Sequence, residues 1–255
     1  MTTIPRQPRQ SAGLVFRPAA ERFHSRLTWL DSWHSFSFSH HHDPAWMGFG
    51  PLRVINDDTI AAGRGFGMHP HSDMEIITVM VDGELSHRDS MGNGEVLRAG
   101  EVQRMSAGTG IIHSEINGAP DPCRLLQIWI EPSRRGVTPA YEQRAYPISP
   151  DWTLLIDPDG RAGAMAIQRP VRLWRACPQP GSSLALPLEA GQTGWIQIVE
   201  GDLELELPSL RPTAGQGAGA SHRLQRGDGL GFAASGTETL RATATGTDLL
   251  LFALA

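Results

Sequence analysis

Four residues in two short stretches carry the chemistry this chain can offer: His69 and His71 in "GMHPHSD", and His113 and Glu115 in "GIIHSEIN". In an extended strand, residues two apart share a face, so each pair presents both side chains to the same side. Pro70, between the first two, points the other way and lacks an N–H, which suits a strand start or an edge. Three imidazoles and a carboxylate converging from two strands form a donor set for a divalent transition metal. Burying them without compensation costs several kcal/mol, on the order of the penalty for unpaired polar groups, and an ion removes that penalty. Four protein ligands leave an octahedral ion one or two free positions, as a reactive site requires.

The elements that must position these groups read as short strands. "MEIITVMV", "RLLQIWIE", "GWIQIVE" and "DLLLFALA" are runs of β-prone residues bounded by glycine-containing turns. Asp82-Gly83 and Asn93-Gly94 are expected to act as hairpin turns. Helical periodicity is scarce, and the composition, with 28 Gly and 19 Pro in 255 residues, suits a turn-rich β protein. "ITVMVDGELSH" from Ile77 is echoed by "IQIVEGDLELE" from Ile196, and "LRAGEVQRMSAGTG" from Leu97 by "LQRGDGLGFAASGT" from Leu224. Two copies of one β unit imply two similar barrels in tandem. The boundary is expected near residue 140, giving a metal-binding domain over 1–140 and a second domain over 141–255. The second copy carries an insertion, "LPSLRPTAGQGAGASHR", expected to be a flexible surface loop.

Aligning the copies on Gly83 and Gly201 puts Pro187 and Glu189 where His69 and His71 stand. Aligning Gly108 with Gly236 puts Arg241 and Thr243 where His113 and Glu115 stand. The second barrel is therefore expected to be degenerate and to bind no metal.

All 22 basic residues are arginines, scattered along a chain of net charge -5, which argues against nucleic acid as a partner. No stretch reads as a secretory signal or a membrane helix, so a cytoplasmic protein without a membrane role is expected, and a monomer. Cys123 and Cys177 fit no metal or redox spacing and are expected to be small buried apolar residues. His40, His41 and His42, before Asp43-Pro44, are expected in a surface loop, because adjacent side chains diverge. His24, His34, His87 and His222 show no partner spacing. Trp129, Trp174 and Trp195 are expected in the core.

The stretches "HSFSFSHHHDPAWMGFGPLRVINDD", "GRGFGMHPHSDMEI", "GELSHRDSMGNG" and "VQRMSAGTGIIHSEIN" resemble the pirin family of cupins. The resemblance is dense over residues 30–130 and loose beyond. It implies an all-β bicupin, two tandem double-stranded β-helix (jelly-roll) barrels, with His69, His71, His113 and Glu115 as ligands of one divalent metal. Iron is the first expectation, with Cu, Mn, Co, Ni or Zn able to fit. Glu75, at the position of a ligand in many other cupins, is expected beside the ion or as an alternative ligand. Two spacings depart from the general cupin pattern, one between Glu75 and Gly83 and one before His113. Some pirin-like bacterial proteins are quercetin 2,3-dioxygenases, so the resemblance implies an oxidoreductase that opens a flavonol ring with O2 and releases CO, with Glu115 as base. Other pirins imply a second reading, a non-catalytic metal-binding regulator acting through a protein partner.

Overall fold

The computed structural model describes residues 10–11, 13–207 and 220–254. These form an all-β structure with only three single-turn 3-10 helices among the described residues. The chain opens with β1 (Gln10–Ser11) and β2 (Leu14–Arg17). Then come β3 (Phe23–Arg26), β4 (Leu30–His34), β5 (Leu52–Ile60), β6 (Gly65–His71), β7 (Glu75–Asp82) and β8 (Glu84–Asp89). They are followed by β9 (Gly94–Arg98), β10 (Glu101–Ser106), β11 (Ile111–Ile116), β12 (Cys123–Ile130) and β13 (Ala140–Ala145). The rest are β14 (Thr153–Ile156), β15 (Arg172–Ala176), β16 (Ser183–Ala185), β17 (Thr193–Glu200), β18 (Asp202–Leu207), β19 (Ala220–Gln225), β20 (Gly229–Ala233), β21 (Thr239–Ala242) and β22 (Asp248–Leu254).

The chain divides into two compact units, one of Arg22–Pro147 with Asp157–Pro170, the other of Ile148–Ile156 and Val171–Ala255 with the described part of Met1–Glu21. The first unit pairs a seven-stranded sheet, β13-β10-β7-β12-β5-β4-β3, with a four-stranded sheet, β6-β11-β8-β9. Leu30, Ile60, Met80 and Leu125 of the larger sheet pack with Leu85 and Leu97 of the smaller. The second unit repeats the plan with β1-β2-β20-β17-β22-β15-β14 and β16-β21-β18-β19, around a core that includes Ile196, Leu205, Leu240 and Leu251. Each unit is thus a two-sheet jelly roll whose sheets stay open instead of closing into the expected barrel.

The expected boundary at 140/141 falls inside β13, which pairs with β10 from Glu101↔Ala145 to Ser106↔Ala140. Backbone pairing also takes the start of the chain to the second unit, because β2 adds to the edge of β20, with Val15 opposite Gly231. Asp157–Pro170 stays with the first unit, where the Ser133 N–H donates to the Gln168 carbonyl at 2.6 Å.

The Asp82-Gly83 turn is a corner and not a hairpin. It carries the chain from β7 in one sheet to β8 in the other, with Gly83 at a φ of 72°. Gly92-Asn93-Gly94 does close a hairpin, between β8 and β9. Residues 208–219 of the expected surface loop lie outside the described residues. Cys123 is buried, while Cys177 is only half-buried. Among the described residues no helix is long and apolar enough to cross a membrane.

Candidate metal centre

Strands β6 and β11 pair antiparallel, with His69 opposite His113 and His71 opposite Ile111. The ring centroids of His69, His71 and His113 stand 4.4 to 4.9 Å apart. Their donor atoms lie within 4.8 Å of one another. Pro70 is exposed between the two half-buried histidines, as the alternation of a strand requires. The Nδ1–H of His69 donates to the Gly67 carbonyl at 2.7 Å, which leaves Nε2 as the free donor atom.

Gly65 makes the pairing of β6 with β11 fit. A Cβ there would meet the Glu115 carbonyl oxygen at 2.2 Å, and its φ of 156° is one that glycine tolerates best. Between His113 and Glu115 the register slips against β6, setting Glu115 opposite Phe66, while on the other side β11 keeps unbroken register with β8 and Glu115 stands opposite His87. The Glu115 carboxylate is therefore grouped within 4.8 Å of His113 and His87, and not with the donor atoms of both His69 and His71. His113 belongs to both groups.

Glu115 is buried and held from below. Gln127 Nε2 donates to its Oε2 at 2.9 Å, while Thr78 Oγ1 and Gln103 Nε2 donate to Oε1 at 3.3 Å. These three residues belong to one polar row crossing the large sheet in register. His34 is opposite Asn56, Asn56 opposite Gln127, Gln127 opposite Thr78, Thr78 opposite Gln103, and Gln103 opposite Gln143. A polar residue in each of these buried strands is costly alone but satisfied as a set.

His71 and His113 are kept neutral. Burial pushes His71 down to about 4, helped by the neighbouring His113 and His69. It pushes His113 down to about 3, helped by His69 and His87. Both ring nitrogens of His113 are buried with no hydrogen-bond partner. Buried polar nitrogens of this kind are rare without a ligand, and neutral imidazoles are the form that binds metals, so the donor set fits a transition-metal ion.

Glu75 lies elsewhere. Ser72–Met74 end β6, with Asp73 in the left-handed region at φ 48°, and β7 restarts in the other sheet. There Glu75 accepts a 2.6 Å hydrogen bond from Ser106, and burial raises its pKa. The parity argument that put it beside the ion fails because the strand does not run straight. His87 corrects a second expectation. It is fully buried, its Nε2–H donates to Asp89 at 3.0 Å, and its ring stacks on Tyr141 at 4.5 Å. The spacing of His87 and Asp89, two apart on β8, was the signal available.

The site opens into a cavity of about 370 Å³ lined by Trp29, Phe38, Phe66, Trp129, His34, His40, Asp58, Glu115, His69 and His71, among others. Trp129 is thus a cavity wall, with its ring edge-on to His71 at 5.0 Å, and not core as expected; Trp174 and Trp195 are buried. His40 lies in an exposed turn, as expected of a surface loop, and also lines the cavity.

In the second unit Arg241 of β21 pairs with Ser183 of β16. Pro187 and Glu189, aligned with His69 and His71 in the sequence, lie in the connection from β16 to β17 and not in the strand that pairs with β21. Leu186 and Leu188 in that connection are buried in the core.

Residues 16–130 match the family profile described as Pirin, and residues 154–254 the profile described as Quercetinase C-terminal cupin domain. A quercetin 2,3-dioxygenase of Escherichia coli K12 is 46% identical over 193 residues, 75% of this chain and 84% of the relative. A pirin-like protein of Caulobacter vibrioides is 40% identical over 75% of this chain and 83% of its own length. The crystal structure of the bacterial pirin YhhW from Escherichia coli in complex with nickel(II) superimposes with a TM-score of 0.84 at 40% identity, covering 94% of this chain and 98% of that one. A quercetin 2,3-dioxygenase structure from Acinetobacter baumannii, at 20% identity and a TM-score of 0.69 over 91% of this chain and 85% of that one, shares the fold. Carried by these matches along both units, the chain belongs to the pirin family of bicupins.

Proposed function

We propose that this protein is a metal-dependent dioxygenase that opens the heterocyclic ring of flavonol-type substrates with O2 and releases CO. The observation that supports the reading is the His69, His71 and His113 cluster, with His113 shared with Glu115, beside an aromatic-lined cavity of about 370 Å³ that His69, His71 and Glu115 line. That volume lies within the range of small-molecule sites.

His69, His71 and His113 would hold the ion, with Glu115 as the fourth, oxygen ligand; iron is the first expectation from the family resemblance. A divalent ion there supplies Lewis acidity toward an aromatic hydroxyl and redox reach toward O2. The remaining work falls to the chain. Trp29, Phe66, Phe38 and Trp129 offer ring faces and edges to a planar aromatic and displace water from it. Glu115 takes the hydroxyl proton at its carboxylate, and the donors Gln127, Gln103 and Thr78 fix the direction of its lone pairs. Across the reaction one flavonol and one O2 give one ring-opened ester acid and one CO.

The test is to mix metal-loaded protein with quercetin in air and follow the loss of its visible absorbance, with metal analysis of the protein as isolated. Steady loss with CO in the headspace is the expected result. No loss with iron, copper, manganese or nickel would reject the enzyme and favour the regulatory reading.

A further inference from the structure

The histidine triplet His40–His42 has no place in the chemistry above, yet it joins the cavity through a chain of hydrogen bonds. Ser25 Oγ lies 3.0 Å from His41 Nε2 and 2.9 Å from His34 Nε2. On the other edge of the His34 ring, Nδ1 lies 2.8 Å from Asn56 Oδ1 and 3.4 Å from Ser32 Oγ. Ser32 in turn donates a very short hydrogen bond to Asp58 Oδ1. Asp58, Ser32, His34 and Ser25 all line the cavity that holds Glu115.

Proton counting orients this chain. The amide oxygen of Asn56 only accepts, so His34 carries its proton on Nδ1 and accepts at Nε2. Ser25 has a single hydroxyl proton, which goes to His34 Nε2. The contact with His41 then requires a proton on His41 Nε2. Donors thus run from the half-buried His41 through Ser25 to His34, whose Nδ1–H is held by Asn56 at 2.8 Å with Ser32 Oγ 3.4 Å away, and Ser32 donates on to the buried Asp58.

We infer that Ser25, His34 and Ser32 form a proton relay between the surface histidine His41 and Asp58, a carboxyl group in the wall of the cavity. The inference rests on the reading of the cavity as a site whose ligand exchanges a hydroxyl proton. In one passage the His41 Nε2 proton moves to Ser25 Oγ, and the Ser25 proton to His34 Nε2. The His34 Nδ1 proton then moves to Ser32 Oγ, and the Ser32 proton to the Asp58 carboxylate. The reverse sequence exports one proton, which a reaction that ends in an ionised carboxylic acid must do. His40, with its ring 4.1 Å from that of His41, adds a second exchangeable group at the outer end.

The electrostatics agree with this placement. Burial raises Asp58 to about 7, with the neighbouring Asp57 and the facing Glu115 adding to the rise, so it holds or yields a proton near neutrality. Burial lowers His34 to about 4, with His41, His40 and His24 around it, so it stays neutral between passages. Ser25, His34 and Ser32 are positioning residues that act through Asp58.

Two variants break the path away from the cluster of metal-binding candidates: Ser25→Ala removes the bridging hydroxyl, and His41→Gln removes the outer imidazole. With metal-loaded protein and quercetin in air, each is expected to lower kcat roughly tenfold with KM unchanged, less than the hundredfold or more of a lost general acid or base. Added imidazole is expected to restore His41→Gln. Unchanged kcat in both variants, or loss in His41→Gln that imidazole does not restore, overturns the relay. If the wild type leaves quercetin intact, the flavonol reading fails on its own, and 15N NMR of the histidine-labelled protein then decides the relay. The expected spectrum shows His34 protonated at Nδ1, with an Nε2 signal that moves in Ser25→Ala. The opposite tautomer, or an Nε2 signal indifferent to Ser25→Ala, overturns it.

Discussion

His113 stands directly across the β6–β11 ladder from His69, with the two ring centroids 4.4 Å apart. Adjacent strands place opposed side chains at this distance without strain, so two imidazoles meet at one point by backbone pairing alone. His71 joins them by alternation along β6. The cluster is therefore as rigid as the sheet that carries it.

His113→Ala should remove the shared member of both donor groups. Metal bound per protein, measured by plasma emission after dialysis, is expected to fall at least tenfold. The wild type should gain about 4 kcal/mol of stability when the metal is a thousandfold above its dissociation constant, and the variant should gain almost none. Equal metal content in both proteins would remove His113 from the site.

Glu115→Gln keeps the size of the side chain but loses its charge and its basicity. Turnover of quercetin is expected to drop a hundredfold or more, the scale of a lost general base. Gln127→Leu leaves the Glu115 carboxylate without its 2.9 Å donor and should cost a smaller factor. A Glu115→Gln protein that retains its metal and turns over normally would exclude the proton-accepting role.

Gly65→Ala tests whether ladder geometry makes the site. The added methyl meets the Glu115 carbonyl, so β6 must move away from β11. A loss of about 1–3 kcal/mol in urea unfolding is expected, the scale of a strained backbone position, together with weaker metal binding. Normal metal affinity in this variant would show that the histidines do not depend on the pairing.

The pH dependence of stability isolates Asp58. Its folded pKa of about 7 lies above its ordinary value of 3.8, so the folded state holds a proton that the unfolded chain releases. Its stabilising contribution is complete below 3.8 and is lost as pH rises toward 7. Asp58→Asn carries no such loss. The melting temperature of the metal-free variant should therefore gain on wild type between pH 4.5 and pH 7.5, by up to about 3 kcal/mol expressed as free energy. A difference that does not change with pH would mean that Asp58 is ionised throughout.

Metal-free wild type should also lose stability on acidification below about 6.5. The unfolded chain then binds protons that folded His71 and His113 refuse down to about 4 and about 3. Saturating metal should steepen that loss, because protons compete with the ion for the same nitrogens. Melting curves with and without metal across this range measure both effects.

The sequence by itself determined the candidate donors and the β architecture, because strand alternation is a local rule that two histidines separated by one residue obey in any extended segment. It also marked the second unit as a copy that lacks the paired histidines and the His-x-Glu of the first, since the turn glycines repeat. It could not place Glu75, because a three-residue turn after His71 sends the chain into another sheet. It could not foresee the β11–β8 register that sets Glu115 opposite His87, the slip of β11 against β6, or the row from His34 to Gln143 on which Glu115 rests. Those depend on register between strands far apart in the chain. Register is set by the packing of two whole sheets, and a side chain's partner across a ladder is written in no single segment.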